Sequence, residues 1–181
     1  MKNQIQKTYK LYKNLILTGM MGVGKSTVGK SLAKKLQYNF IDIDKLIEIK
    51  EKTSINLIFK NKGENYFRKV ESGTALQELK KNNSVISLGG GTFLNKSIRI
   101  SAKKTSVTFW LDVDVEILVK RLNKTQKRPL LYKKDINDTI KKIYLKRKKI
   151  YKEADYRIKC NFLTSGEIVS KVLGLYEKSR N

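Results

Sequence analysis

The chain has no histidine, one cysteine and one proline in 181 residues, and each scarcity excludes something. Cys160 alone cannot form an internal disulfide and supplies no metal-ligand spacing; without histidine, a zinc centre lacks its commonest partners. A reducing cytoplasm is the compartment expected. No run approaches the roughly 18 consecutive apolar residues of a membrane span. The opening stretch MKNQIQKTYKLYKN is basic but has no apolar core, which argues against a secretory signal. Pro129 leaves no Pro-rich linker, and no repeat or composition break divides the chain. The expectation is a short basic extension over residues 1–13 and a single domain over 14–181.

Acidic residues are also few: 16 against 40 basic, a formal net charge of +24. Such a charge invites a nucleic-acid reading. The 33 lysines, however, are spread along the whole chain, and asparagine and isoleucine are abundant too. That pattern reads as compositional drift in an A/T-biased genome rather than a designed basic surface. No nucleic-acid or membrane partner is expected, and the chain is read as a monomer. Only seven basic residues are arginine. Lysine is a poor substitute for the planar, two-pronged grip of a guanidinium on an anion, so each arginine merits individual inspection.

Apolar runs alternate with amphipathic segments. Strands are expected at Leu15–Thr18, Phe40–Ile43, Val85–Leu88, Val107–Leu111 and Tyr156–Lys159. Helices are expected at about 25–36, 44–51, 54–60, 64–81, 114–122, 136–151 and 165–178. In the first helix Val28, Leu32 and Leu36 fall on one face. Short apolar strands separated by helices imply crossover connections, hence an α/β fold with a parallel sheet covered on both sides. The polar segment at about 123–135, which holds KRPLLYKKD, reads as a mobile loop or a lid.

The first strand runs into GMMGVGKS, residues 19 to 26, which fits G-x-x-x-x-G-K-[ST] at Gly19, Gly24, Lys25 and Ser26. The glycines let successive backbone N–H groups curl around an anion at a helix start. Lys25 is placed to reach the β- and γ-phosphates and Ser26 to ligate Mg²⁺. The acceptor must be read elsewhere. NKTQ at 123–126 lacks the aspartate of a GTPase specificity motif, and the chain is short for a motor ATPase.

Asp42-Ile43-Asp44 closes the second strand. Period-two alternation would set both carboxylates on one side, at the sheet edge where α/β proteins bind ligands. One could organise hydrated Mg²⁺ and the other take a proton; the plain alternative is a helix cap. In GENYFRKVES, Phe67 and Val70 suit an apolar face, and Arg68 and Glu71 are spaced to pair. SLGGGT, residues 87 to 92, has three glycines where a plain turn seldom needs them. Arg128 lies in KRPLL and Arg147 in the late-helix segment YLKRKKIY.

In this order and spacing GMMGVGKST, DIDKLIE, GENYFRKVE, SLGGGT, KRPLL and KRKKIY resemble the shikimate kinases, over roughly residues 14 to 175. The resemblance implies a P-loop, nucleoside-monophosphate-kinase-like fold with a five-stranded parallel sheet in the order 2-3-1-4-5. It implies transfer of the γ-phosphate of ATP to the 3-hydroxyl of shikimate, on the way to chorismate and the aromatic amino acids.

By the same resemblance the ATP site comprises Gly22, Val23, Gly24, Lys25, Ser26 and Thr27, with Arg121 near the adenine and Arg128 closing from the lid. Ser26, and Asp42 through water, hold Mg²⁺. Asp44 binds the acceptor hydroxyls and is the candidate base; Lys25 and Arg128 stabilise the transferring phosphoryl group. Arg68 and Arg147 clamp the shikimate carboxylate, Glu71 orients Arg68, Gly89, Gly90 and Gly91 bring backbone N–H groups, and Phe59 and Phe67 line the ring pocket.

Two stretches depart from the family pattern. Ile158-Lys159-Cys160 stands where many relatives read something like VDT, and NFLTSG lacks an arginine that some members place against adenine. Cys160 is read as packed. A gluconate-type kinase of similar fold and a nucleic-acid-binding module with a degenerate P-loop are the rival readings.

Overall fold

The computed structural model describes residues 14–123 and 136–179. The basic extension, most of the expected lid and Arg128 lie outside the described residues.

β1 (Asn14–Thr18) is an apolar run with no exposed residue, which only a strand buried on both faces can accommodate. β4 (Ser106–Asp112) is likewise buried along its whole length. These two form the middle of a five-stranded sheet in which β2 (Asn39–Asp42), β3 (Ser84–Ser87), β1, β4 and β5 (Tyr156–Lys159) lie side by side in that order. Every pairing is parallel; Leu15 sits opposite Val85 on one side and Val107 on the other. The order 2-3-1-4-5 therefore holds.

Parallel neighbours require crossovers, and helices supply them. α1 (Lys25–Leu36) packs with α7 (Ser165–Lys178), while α3 (Ile55–Glu78) packs with α4 (Lys96–Thr105). α2 (Ile43–Glu51) rests on α3, and α5 (Val115–Asn123) on α6 (Ile136–Tyr151). The core includes Leu17, Leu32, Ile86, Phe93, Phe109 and Trp110, each at most 1% exposed.

Three elements differ from the sequence reading. α4 falls where no helix was expected. Its signals are an Asn95 side chain that caps the N–H groups of Ser97 and Ile98, and Ile98 and Ala102 buried one turn apart. Three lysines in ten residues obscure that stripe.

The helices expected at 54–60 and 64–81 form one element, α3, interrupted at Gly63 (φ 78°, ψ 170°).

β2 stops at Asp42, one residue before the expected end. Asp42 caps α2 by accepting from Lys45 N (3.3 Å), so Asp44 stands in the first helical turn. Strand alternation therefore does not relate the two carboxylates. The cap wins locally because an aspartate satisfies an orphan helix N–H more readily than it continues a strand.

Candidate active site

The segments that follow β1, β2 and β3 converge on one cavity of about 680 Å³. Its wall includes Met21 and Gly22 of the loop after β1, Asp44 and Lys45 of α2, and Phe59, Phe67, Arg68 and Glu71 of α3. Gly90 and Gly91 after β3, Arg121 and Leu122 of α5, and Arg147 of α6 complete it.

The loop between β1 and α1 is built to take an anion. Gly24 caps α1 with φ 92° and ψ 18°, a left-handed conformation that strains other residues. The first bond inside the helix runs from Val28 N to Gly24 O (3.0 Å). Earlier N–H groups, those of Lys25, Ser26 and Thr27, thus precede the intrahelical ladder and face outward with the positive end of the helix dipole. Val23 is buried beneath the loop, whereas Ser26 and Thr27 are exposed. Lys25 lies folded over the loop, its Nζ donating to Gly19 O (3.0 Å) and Met20 O (2.9 Å). A cation held beside outward-facing amide donors suits a phosphate group.

Ser26 Oγ donates to Asp42 Oδ2 at 2.5 Å. Two hard oxygens thus sit together at the exit of the loop, although Asp42 and Ser26 are 16 residues apart. Asp42 is therefore both helix cap and hydroxyl acceptor.

The triglycine turn explains its own composition. A β-carbon at position 89 would lie 2.5 Å from Asp44 Oδ1, 2.8 Å from Thr92 Oγ1 and 3.0 Å from Glu71 Oε1. At position 91 it would lie 2.6 Å from Arg68 Nη1. Carboxylate and guanidinium groups press directly on the backbone here, and only a residue without a side chain permits it.

Arg68 is gripped from two sides. Nη1 donates to Glu71 (2.7 Å), while Nε and Nη2 donate to Glu64 (3.2 and 3.1 Å). Burial disfavours its charge, but Glu71 and then Glu64 outweigh that and hold the guanidinium above its usual pKa. Glu71, only 3% exposed, also accepts from Thr92 Oγ1 at 2.6 Å. The pairing expected of Arg68 and Glu71 is present. Phe59 and Phe67 stand with ring centroids 4.8 Å apart beside it.

Arg147 is the opposite case. It is 8% exposed, donates from Nη1 to Gly90 O (2.9 Å), and pairs with no carboxylate among the described residues. Burying a cation without a counterion is costly. A ligand carboxylate would relieve that cost.

The hydroxyl of Tyr151, fully buried, holds the same Gly90 carbonyl at 2.5 Å. Burial pushes this phenol up to about 12, so it stays a donor across the physiological range. Because a trans peptide sets C=O and N–H on opposite sides, fixing Gly90 O aims Gly91 N–H the other way.

The sequence reading missed Thr92, Tyr151 and the wall residues Lys45 and Glu48. A signal existed for Tyr151, since 147 and 151 are one turn apart on a helix. Of the other arginines, Arg157 pairs with Asp112 (Nη2 to Oδ2, 2.5 Å) and lies over Trp110, and Arg99 pairs with Glu153 (3.1 Å). Both stitch elements together. Cys160 is packed as expected: 1% exposed, with burial raising its thiol to about 11. In the following loop Phe162 is 93% exposed.

The shikimate kinase family model matches residues 21–177. The chain belongs to the shikimate kinase family. A shikimate kinase from Sulfurihydrogenibium sp. is 43% identical over 161 residues, 89% of this chain and 96% of the relative. The shikimate kinase from Acinetobacter baumannii, solved in complex with shikimate, superposes with a TM-score of 0.89 at 29% identity, covering 96% of this chain and 97% of that one. A gluconokinase from Sinorhizobium meliloti, at 15% identity and a TM-score of 0.60 over 94% of each chain, shares the fold alone. Among the described residues no helix is long and apolar enough to cross a membrane.

Proposed function

We propose that this shikimate kinase family member transfers the γ-phosphate of ATP to the 3-hydroxyl of shikimate, with the phosphates at Gly22–Thr27 and the acceptor between Asp44, Arg68 and Arg147. The single observation that carries the reading is the convergence on one cavity of a phosphate loop, a carboxylate and a buried guanidinium that pairs with no carboxylate among the described residues. A nucleotide supplies the anion for the loop. An acceptor that carries both a carboxylate and hydroxyls answers the other two groups. The A. baumannii relative was solved with shikimate, which has that chemistry.

Each side chain then has a task. Arg147 and the outward edge of Arg68 take the carboxylate, a fork-to-fork contact that orients the ring as well as binding it. Phe59 and Phe67 pack the ring, and the triglycine backbone approaches it closely enough to donate N–H. Asp44 holds the reacting hydroxyl and accepts its proton as the oxygen attacks. Lys25 turns from the carbonyls of Gly19 and Met20 to the phosphoryl oxygens, where charge develops. Arg121, on the cavity wall next to Leu122, is assigned to the nucleotide.

Ser26 Oγ and Asp42 Oδ2 fit Mg²⁺, a hard cation that favours oxygen ligands and keeps waters and substrate phosphates around it. Among the described residues no group of three or more acidic, histidine or cysteine side chains forms a protein cage, which suits a metal delivered with the nucleotide. When bound, the ion neutralises negative charge on the β- and γ-phosphates.

The deciding experiment is ADP release by the purified protein with ATP·Mg²⁺ and, separately, shikimate or gluconate. Release with shikimate only is the result expected. Release with gluconate instead, or none with either acceptor, would overturn the assignment. Chelating the metal with EDTA abolishes turnover, and adding excess Mg²⁺ restores it.

A further inference from the structure

Glu71 is 3% exposed, and its carboxyl group depends on protein partners for its hydrogen bonds. One of its oxygens is answered by Arg68 (2.7 Å). The other, Oε1, has a single hydrogen-bond partner among the described residues: the hydroxyl of Thr92, at 2.6 Å. Thr92 is 1% exposed and borders neither the main cavity nor the smaller one behind Arg68, so it touches no ligand. It is held from both ends, its N–H donating to Gly89 O (3.2 Å) and its C=O accepting from Asn95 N (3.2 Å). The hydroxyl is therefore carried on a hydrogen-bonded turn, which limits how far it can follow Glu71 if that side chain moves.

We infer that Thr92 is a positioning residue for the acceptor carboxylate, acting through Glu71 on Arg68. This rests on the function proposed above and adds to it a link from the triglycine turn to the guanidinium. With both oxygens engaged, Glu71 has one orientation, and Arg68 Nη1 is drawn to one point. Without the hydroxyl, Oε1 is left unsatisfied in a buried place, a costly state that the carboxylate escapes by rotating. Rotation carries Arg68 with it, because the pair is close and charge-assisted. The outward edge of the guanidinium then no longer matches the ligand. A hydroxyl group thus sets acceptor affinity while making no contact with acceptor, nucleotide or reacting atoms.

The test compares the wild type with Thr92→Val, Thr92→Ser, Glu71→Gln and the Thr92→Val/Glu71→Gln double variant, titrating shikimate and ATP separately in the ADP-release assay. Thr92→Val should raise the shikimate KM about tenfold, the loss expected for one buried charge-assisted bond. Its kcat and ATP KM should stay within about twofold on the same grounds, and Thr92→Ser should recover the wild-type KM because it restores the donor. In the Glu71→Gln background the valine should add nothing, since residues acting through one another are not additive. Thr92→Ala removes the hydroxyl without adding bulk and carries the same expectation if the valine variant folds poorly. An unmoved shikimate KM in an active variant, an equal rise in ATP KM, or additive effects in the double variant would overturn the inference alone. No shikimate-dependent release by the wild type would overturn both it and the proposed function.

Discussion

Arg147 of α6 donates from Nη1 to the carbonyl of Gly90, 2.9 Å away and 57 residues distant in the chain. That bond joins a helix late in the sequence to the turn after β3. The same buried guanidinium lines the cavity. Shortening this side chain to lysine keeps the charge and loses the fork. Arg147→Lys should raise the shikimate KM by about 10- to 100-fold, the equivalent of one to two charge-assisted hydrogen bonds. The ATP KM should be little changed, and initial rates at varied shikimate check both.

Asp44 lies against the triglycine turn, its Oδ1 2.5 Å from where a β-carbon at position 89 would stand. Asparagine at this position retains the shape and removes the base. Asp44→Asn should lower kcat by about 10²- to 10⁴-fold, the usual contribution of a positioned general base. Nucleotide affinity, measured by calorimetry with ATP·Mg²⁺, should be preserved. A variant that turns over like the wild type would deny Asp44 its role.

Two glycine substitutions should separate site from scaffold. At Gly91 an added methyl meets the guanidinium of Arg68 (2.6 Å), which must give up its present position but can do so without moving backbone. Gly91→Ala should melt near the wild-type temperature yet bind shikimate poorly. At Gly19 (φ 134°) the methyl meets the backbone carbonyl of Leu111 at 2.4 Å, and β4 cannot yield. Gly19→Ala should cost about 1–3 kcal/mol of stability through strain at a special backbone position. Thermal melts together with shikimate titrations distinguish the two outcomes.

Tyr151 gives a pH dependence with a definite sign. Its phenol lies near 10 in the unfolded chain and near 12 in the folded protein, so folding favours the protonated form. The stabilisation is complete below about pH 10 and is lost as pH rises towards 12, at about 1.4 kcal/mol per pH unit for one such group. The wild type should therefore lose stability over this range more steeply than Tyr151→Phe. Parallel slopes in melts from pH 8 to 12 would contradict that account.

How much of this was legible beforehand depends on the distance over which each feature is specified. The phosphate loop, the sheet order implied by the family motifs, and the pairing of Arg68 with Glu71 are local or carried by a short string of residues. α4 was missed because lysines interrupt its apolar stripe. The relation of Asp42 to Asp44 was misjudged because a cap and a strand end compete at the same residue. Thr92 and Tyr151 stand inside motifs that were noticed, yet their tasks were not, since each acts on a partner remote in the chain.

The sequence by itself determined most of the elements, the phosphate loop and the family, because short-range hydrogen bonding and apolar periodicity are written in consecutive residues. Only the tertiary structure decided which charges are compensated. Arg68 is flanked by two glutamates and Arg147 by none among the described residues, a difference created by packing four distant segments around one cavity. Desolvation and pairing depend on the three-dimensional neighbourhood, and no linear pattern encodes it residue by residue.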